Sequence, residues 1–250
     1  MSPTTAPDQN DAWALFLDVD GTLLEIAATP HEVVVTERLK RLLKDVHARL
    51  DGALALVSGR NLESLDQLFA PMRLCASGIH GCERRMPDGS VIEPDVDLRK
   101  LAPVREALIS YVQANEGLLL EDKRYGLALH FRRVPHLGAE ARERMQALLV
   151  ELGPEFALQA GKCVFELRPA VWTKGAAVAT FMREPPFRDR RPIYIGDDLT
   201  DEDAFAVVNA FGGLSIRVGE TTSTLAQHTL PGVTDVLNWL ESNPPARARG

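Results

Sequence analysis

Residues 14–23 read ALFLDVDGTL, and the prediction of the fold begins from this stretch. The apolar run Trp13–Leu17 ends directly at two carboxylates, Asp18 and Asp20, which Gly21 follows. A short apolar run bounded by a turn signal predicts a buried strand of a parallel sheet. Open α/β sheets bind their ligands at the carboxyl ends of such strands. Because side chains alternate along an extended chain, we expect both carboxylates on the same side of this strand end.

Two other interpretations of the paired carboxylates involve no catalysis. In a turn cap they would only hold the backbone, which is common for an isolated D-x-D-G. A calcium loop would need glycine at its sixth position and glutamate at its twelfth. Counted from Asp18, these positions hold Leu23 and Thr29, so the sequence excludes a calcium loop.

The composition excludes several classes of protein. The chain has 250 residues, 45% of them hydrophobic and 25% charged, which suits one large domain or two modest ones. Its net charge of −7 offers no basic footprint for nucleic acid. No apolar run is long enough to span a bilayer, and residues 1–11 are not expected to form a signal peptide. The three cysteines have no metal-binding spacing, so we expect a cytoplasmic protein with reduced thiols.

A second predicted strand end carries a serine. A helix predicted over Thr36–Leu50 leads to the apolar run Ala53–Val57, which delivers Ser58 and then Arg60. A serine at such a strand end can present its hydroxyl and nearby amides to a phosphate. It can equally cap the following helix, predicted over Leu62–Phe69, and the residues alone leave both roles open.

The segment SGIHGCE then places His80 between Gly78 and Gly81, with Glu83 close behind. A lone histidine is usually structural. Two flanking glycines, however, leave little local bulk and allow a ligand to approach the backbone. His80 and Glu83 are therefore candidate binding residues.

The pattern of elements changes between Asp97 and Arg168. It predicts two helices and three strands, over Leu101–Glu116, Leu118–Lys123, Tyr125–Arg133, Ala139–Leu152 and Lys162–Arg168. The order helix, strand, strand, helix, strand suggests a small α+β module inserted into a parallel-sheet domain. We therefore predict an α/β fold with a Rossmann-like parallel-sheet core over residues 11–96 and 169–243. The inserted α+β cap would span residues 97–168.

Alternation along the predicted cap strands separates an apolar face from a polar one. Charged and polar side chains share the second face: Glu121, Lys123, His130, Arg132 and Glu166. Such a face is most often simply solvated. Its donors and acceptors would also suit a sugar, so the alternation alone leaves both interpretations open.

Two further segments return the chain to the core. Lys174 precedes a predicted helix, where a positive side chain opposes the helix dipole and so suggests a nearby anion. The apolar run Arg191–Ile195 ends in GDDLTDED, which brings Asp197 and Asp198 to another strand end. Acidic residues suit the first turn of a helix, and this accounts for Asp201–Asp203 better than for the first two.

Four of these motifs, in this order, resemble those of the haloacid dehalogenase superfamily of phosphatases and phosphotransferases. They are DVDGT, the serine of SGR, the lysine before the late helix, and GDDxxD. The resemblance implies that Asp18 is the nucleophile and Asp20 the general acid/base, with Ser58 and Lys174 stabilising the transferring phosphate. It also implies that Mg²⁺ binds to Asp18, Asp197 and the backbone carbonyl of Asp20. Two carboxylates about 4 Å apart repel by roughly 4 kcal/mol at an effective dielectric near 20, and a divalent cation relieves that repulsion.

The G-x-H-G-x-E segment and the cap stretches E-x-K, ALHFR and FELRP resemble trehalose-6-phosphate phosphatases within that superfamily. The resemblance covers about Ala14–Leu240. It implies hydrolysis of trehalose 6-phosphate through an aspartyl phosphate, a small-molecule substrate, and functional pairing with a trehalose-6-phosphate synthase. It also favours sugar binding for the polar cap face. The candidate substrate-binding residues are Gly21, Arg60, His80, Glu83, Glu121, Lys123, His130, Arg132, Glu166 and Asp198.

Other functions remain open on the sequence alone. A phosphatase for another sugar phosphate, such as sucrose 6-phosphate, would use the same core motifs. A phosphomutase would retain the phosphate and need a bisphosphate activator. A non-catalytic sugar-phosphate sensor would have no need of a nucleophile beside a general acid, so the Asp18 and Asp20 pair argues against it.

Overall fold

A computed structural model describes residues 12–26, 33–93 and 95–242 of the chain. The chain divides into two compact units. The first runs to Ile92 and resumes at Thr173, and the second comprises Glu93–Trp172. The signal-peptide prediction concerns residues 1–11, which lie outside the described residues. The predicted end of the core at residue 243 lies outside them as well.

The elements are numbered in chain order. The strands are β1 (Trp13–Leu17), β2 (Leu54–Val57), β3 (Cys75–Gly78), β4 (Glu83–Arg85), β5 (Val91–Ile92), β6 (Leu119–Asp122), β7 (Leu127–His130), β8 (Phe156–Gly161), β9 (Val164–Pro169), β10 (Arg191–Gly196), β11 (Leu214–Val218) and β12 (His228–Leu230). The helices are α1 (Glu37–Arg49), α2 (Leu62–Phe69), α3 (Leu101–Ala114), α4 (Gly138–Leu152), α5 (Lys174–Phe181), α6 (Glu202–Ala210) and α7 (Val233–Ser242). None of these described helices has the length and apolarity to cross a membrane.

The frame of the first unit is a sheet in the order β12-β11-β10-β1-β2-β3-β4-β5. The strands from β12 to β3 run parallel, whereas β4 and β5 pair antiparallel at one edge. All five residues of β1 are buried, as a strand covered on both faces requires. The prediction of a parallel-sheet core is therefore confirmed.

Helices of the first unit cover this sheet with apolar faces. In α1 the buried residues Leu39, Leu42, Leu43 and Val46 recur at helical spacing, and they join the same core cluster as β1. The Thr36 hydroxyl caps α1 by accepting from the Leu39 amide at 3.2 Å. The apolar face of α1 is thus buried in the same core as the central strand of the sheet.

The second unit has its own sheet and its own core. Its sheet has the order β6-β7-β9-β8, and every pairing in it is antiparallel. Leu108 of α3 and Met145 of α4 belong to one apolar core with strand residues of this sheet, which are Leu127, Leu129 and Leu167. The alternation in the sequence predicts the apolar face of these strands.

The sequence-based order of the second unit is wrong in one element, because it omits β8. This strand reads FALQAG, and alanine, glutamine and glycine have little intrinsic preference for strands. Its residues from Phe156 to Gly161 instead pair along the whole of β9. Tertiary pairing therefore makes this strand, which adds Gln159 to the sheet.

Candidate active site

Three neighbouring parallel strands of the first unit end at the same edge of its sheet. Strand β1 pairs with β10 on one side and with β2 on the other. The residues that follow them are Asp18 after β1, Ser58 after β2 and Asp197 after β10. The Asp18 amide donates to the carbonyl of Ile195 at 2.9 Å, so the ladder fixes the backbone of Asp18.

A buried ammonium from α5 reaches this edge. Lys174 is the first residue of the helix, and its Nζ donates to Oδ1 of Asp18 and to Oδ1 of Asp201, each at 2.7 Å. Burial alone would lower the pKa of Lys174, but the charges of Asp18 and Asp201 outweigh it and raise that pKa above its usual range. Lys174 therefore stays positive, and two carboxylates supply the anion that its place at a helix N-terminus suggests.

Asp201 is absent from the residues predicted from the sequence. It is completely buried: its Oδ1 accepts from Lys174 and, at 2.6 Å, from the Tyr194 hydroxyl, and its Oδ2 accepts from the Asp198 amide at 2.9 Å. A short 3-10 turn, Leu199–Asp201, precedes α6 and carries this carboxylate inward. Asp201 does lie at a helix start, as its acidic neighbours suggest, but the sequence interpretation does not foresee that its carboxylate is buried. The third acid of GDDxxD is the signal that marks it.

Three carboxylates crowd this site. Oxygen atoms of Asp18, Asp197 and Asp201 lie within 4.8 Å of one another. Burial raises the pKa of Asp18 well above its usual range; Lys174 opposes this rise, and Asp201 and Asp197 add to it. Burial, with the charge of Asp201, raises the pKa of Asp197 to about 6. Asp18 and Asp197 are thus held in surroundings that disfavour their charged forms.

A divalent cation fits this group of residues. With all groups ionised, the three carboxylates and the one ammonium carry −3 + 1 = −2. Oδ1 of Asp197 is buried and has no hydrogen-bond partner within the described chain. Carboxylate oxygens are the ligands that hard cations prefer. The site can therefore hold a metal ion.

Gly21 makes room for Asp197. Its φ is +84°, a conformation that side-chain-bearing residues rarely adopt, and a Cβ built on it would overlap the Asp197 carboxylate. The turn after β1 therefore needs glycine both for its backbone and for the approach of Asp197. This accounts for Gly21 without any contact to a substrate.

Asp20 is paired with Arg60. Arg60 Nε donates to Oδ2 of Asp20 at 2.7 Å, and Arg60 Nη2 donates to Oδ1 at 2.6 Å. The pair is bidentate, so the guanidinium fixes both the position and the rotation of the carboxylate. Arg60, predicted as a substrate-binding residue, thus contacts the predicted general acid/base.

Ser58 and His80 belong to one loop system. The Ser58 Oγ accepts from the Arg60 amide at 3.1 Å, which leaves its hydroxyl hydrogen available to an acceptor such as a phosphate oxygen. The His80 amide donates to the Ser58 carbonyl at 3.0 Å. Gly59 has no Cβ, and one placed there would lie 2.6 Å from the His80 ring. The structure thus packs the His80 imidazole against the Ser58 loop.

Glu83 and Asp198 have contacts of a structural kind. Oε2 of Glu83 accepts from the Leu62 amide at 2.8 Å, at the start of α2, and the side chain is buried. The Asp198 carbonyl accepts from Arg217 Nη1 at 3.0 Å, and its amide binds Asp201. Glu83 therefore holds a helix N-terminus, and Asp198 holds the turn that carries Asp201.

Four of the predicted cap residues meet on the polar face of the second unit. Lys123 Nζ donates to Oε2 of Glu166 at 2.7 Å, and His130 Nε2 lies 2.9 Å from Oε2 of Glu121. Burial would raise the pKa of Glu121, but the hydrogen bond with His130 and the charge of Lys123 outweigh it and lower that pKa. These residues form a charged and partly buried group rather than a freely solvated face.

The placement of Arg132 on that face is wrong. Strand β7 ends at His130, and the chain turns where the Val134 amide donates to the Phe131 carbonyl at 3.0 Å. Arg132 lies in this turn with an exposed side chain. Gln159 takes a place on the face instead, because it pairs with Glu166 across β8 and β9. Its absence from the prediction follows from the unrecognised strand.

Gly21→Ala tests the close approach of Asp197, with Gly89→Ala as the matched control. Both glycines have φ +84°, so alanine in either place should cost about 1–2 kcal/mol of stability. Only at Gly21 does a Cβ meet Asp197, since that of Gly89 would have no neighbour within 4 Å. We expect Gly21→Ala to reduce catalytic turnover by about 100-fold, as displacement of a group in the site does. Equal turnover in the two variants would contradict this role.

The fold is that of solved trehalose-6-phosphate phosphatases. The solved structure of the C-terminal domain of Candida albicans trehalose-6-phosphate phosphatase superposes with a TM-score of 0.82. The superposition covers 97% of this chain and 98% of that one. Because the sequence identity is only 23%, this similarity is evidence for the fold and not for the function.

Sequence relatives carry the comparison further. A probable trehalose-phosphate phosphatase of Sinorhizobium fredii (strain NBRC 101917 / NGR234) is 46% identical over 84% of this chain and 78% of its own length. The trehalose-6-phosphate phosphatase of Escherichia coli (strain K12) is 42% identical over 95% of this chain and 89% of its own length. The family model described as trehalose-phosphatase matches residues 16–232. The chain therefore belongs to the trehalose-phosphatase family and is a phosphatase.

Proposed function

We propose that this enzyme hydrolyses trehalose 6-phosphate to trehalose and inorganic phosphate, with Asp18 as the nucleophile. One observation carries the proposal: Asp18 follows the central strand and is bound by a buried lysine, beside two further carboxylates. Residues 11–96 and 169–243 would form the catalytic core, and residues 97–168 the cap that recognises the sugar.

In the first step, an oxygen of Asp18 attacks phosphorus in line with the sugar oxygen. The Asp18–phosphorus bond forms while the bond from phosphorus to the sugar oxygen breaks. Protonated Asp20 gives its proton to the departing sugar oxygen. Ser58 and Lys174 donate hydrogen bonds where negative charge develops on the transferring group.

In the second step, Asp20 takes a proton from a water molecule as the water oxygen attacks phosphorus. The bond between Asp18 and phosphorus breaks, so phosphate leaves and the nucleophile is restored. Asp20 ends the cycle protonated, ready for the next leaving group. One carboxyl thus serves as acid and base in turn.

We propose Mg²⁺ as the cation, bound by the side chains of Asp18 and Asp197 and by the backbone carbonyl of Asp20. When bound, it neutralises charge on the phosphate and on the carboxylates. We leave Asp201 out of this ligand set, because Lys174 and the Tyr194 hydroxyl occupy both lone pairs of its Oδ1, and its Oδ2 accepts from the Asp198 amide. We assign Asp201 to holding the ammonium of Lys174.

Thermal unfolding should reveal the cation and its dependence on pH. The raised pKa of Asp197 means that the folded protein holds this proton more tightly than the unfolded chain does. Without a cation, this group therefore lowers stability as pH rises from about 4 to about 6. At about pH 8, Mg²⁺ at 100 times its Kd should add about 2.7 kcal/mol.

At about pH 5 protons compete for the same carboxylates, so the stabilisation by Mg²⁺ should largely vanish. Asp197→Asn should lose the shift at both pH values. An equal shift by Mg²⁺ at both pH values, or one that survives in Asp197→Asn, would contradict the ligand assignment.

We further propose that the polar face of the second unit binds the sugar. Glu121, Lys123, His130 and Glu166 supply the donors and acceptors that hydroxyl groups need. The Lys123 and Glu166 pair is already formed, so little side-chain entropy is lost when a sugar binds. Contacts remote from phosphorus can also contribute to turnover.

Glu166→Gln tests this assignment. It keeps the shape of the side chain and removes the charge that Lys123 binds, so KM for trehalose 6-phosphate should rise by about 10-fold. Hydrolysis of phenyl phosphate, which has no sugar, should be unchanged. The control is Glu151→Gln, an exposed position in α4 of the same unit. A loss on phenyl phosphate as large as that on the sugar substrate would contradict sugar binding by Glu166.

The proposed function is tested by phosphate release in the presence of Mg²⁺. The substrates are trehalose 6-phosphate, sucrose 6-phosphate and glucose 6-phosphate, with Asp18→Asn as the inactive control. We expect strong preference for trehalose 6-phosphate and no release by the variant. Preference for another sugar phosphate would contradict the substrate, and release by Asp18→Asn would contradict the nucleophile.

We also infer a cytoplasmic location, because a phosphorylated sugar is an anion that does not cross a bilayer unaided. The enzyme that makes trehalose 6-phosphate would then work in the same compartment. The pairing with a trehalose-6-phosphate synthase is proposed at this functional level.

A further inference from the structure

The bidentate pair of Arg60 and Asp20 joins two parts of the active site. Asp20 lies in the turn beyond β1, where the side chain is 37% exposed. Arg60 lies in the loop beyond β2, and its side chain is 11% exposed. The more buried member of the pair is therefore the arginine.

The backbone of Arg60 is fixed from two directions. Its amide donates to the Ser58 hydroxyl oxygen at 3.1 Å, and its carbonyl accepts from the Ile79 amide at 2.9 Å. The His80 ring packs over Gly59, next to it in the chain. The Arg60 side chain thus extends from the same hydrogen-bonded loop that contains Ser58.

The Asp20 turn has its own backbone hydrogen bonds, from the Leu23 and Leu24 amides to the Val19 carbonyl at 2.9 and 3.0 Å, but these do not hold the Asp20 side chain. The turn continues through Gly21, in a left-handed conformation, and closes where the Gly21 amide donates to the Leu24 carbonyl at 2.7 Å. A half-exposed carboxylate on such a turn has rotational freedom about its side-chain bonds. An acid/base group, in contrast, must lie within hydrogen-bond reach of the atom that it serves.

We propose that Arg60 is a positioning residue for Asp20, and that it acts on turnover through this carboxylate rather than by binding the sugar. The inference rests on the proposed function, because it takes Asp20 as the acid/base. It revises the sequence-based assignment of Arg60 to substrate binding. Orienting a carboxylate in this way needs a planar guanidinium with two parallel N–H donors, which lysine cannot supply.

The pair is compatible with both proton transfers. Each carboxylate oxygen has two lone pairs, and the guanidinium uses one on each. In the second step the remaining lone pair can accept the proton of the attacking water. In the first step, the same oxygen of Asp20 carries the proton at this lone pair and gives it to the sugar oxygen. Arg60 therefore need not dissociate during the cycle.

Arg60→Lys keeps the positive charge and removes the two parallel N–H donors of the guanidinium. We expect kcat on trehalose 6-phosphate to fall by about 10-fold to 100-fold, because Asp20 loses its orientation. The Kd of trehalose 6-phosphate, measured by calorimetry in an Asp18→Asn background, should change by less than about twofold. A Kd weakened by about tenfold or more would overturn the inference in favour of direct binding.

The matched control is Arg84→Lys. Arg84 also pairs with a carboxylate of the first unit, Glu184, with Nη1 donating at 3.1 Å. The control removes a similar guanidinium that does not contact Asp20, so kcat should stay at the wild-type value. An equal fall of kcat in both variants would mean that Arg60 acts only through stability, and would overturn the inference.

A double-mutant cycle separates this inference from the proposed function. In an Asp20→Asn background, Arg60→Lys should produce no further loss of kcat, because there is no carboxylate left to position. Independent, multiplicative losses would overturn the inference. Full turnover by Asp20→Asn alone would overturn the acid/base role itself, and an inactive wild type would overturn the proposed function. Arg60→Gln serves as the second variant if Arg60→Lys does not fold.

Discussion

The active site depends on one buried ammonium. Lys174 is 3% exposed and binds Asp18 and Asp201 at equal distances of 2.7 Å. Asp18 follows β1, Asp201 lies in the turn after β10, and Lys174 begins α5, so one cation joins three segments of the chain. Loss of one partner from a buried ion pair typically costs about 3–5 kcal/mol, because the other charge is left uncompensated. The geometry of Asp18, the proposed nucleophile, is thus tied to the stability of the carboxyl edge of the sheet.

Local preferences are broken where this site is built. A lysine begins a helix, an aspartate is completely buried, and both Ile79 and His80 adopt left-handed backbone conformations. Conformations of that kind persist only when the surroundings impose them, and they concentrate at functional sites. Hydrogen bonds from Ile79 and His80 to Arg60 and Ser58 impose them here. The irregular backbone thus lies directly beside Ser58 and beside Arg60, which binds Asp20.

The sequence predicts the strand ends well because each is a simple apolar run that stops at a polar residue. Asp18, Ser58 and Asp197 follow from that pattern, and the parallel order brings them together. The sequence does not reveal which acids of GDDLTDED are buried, since a helix start explains Asp201 equally well until the 3-10 turn is known. It also does not reveal β8, which forms by pairing with β9, and this hides Gln159.

We propose that Asp18 is the residue that receives the phosphoryl group. The most direct measurement is borohydride reduction of the enzyme during turnover of trehalose 6-phosphate, followed by peptide mass spectrometry. An aspartyl phosphate is an acyl phosphate, which borohydride reduces to homoserine, whereas a free carboxylate is left unchanged. We expect homoserine at position 18, and only when substrate is present. Conversion of a different carboxylate, or an unmodified Asp18 in enzyme that is turning over, would contradict this proposal.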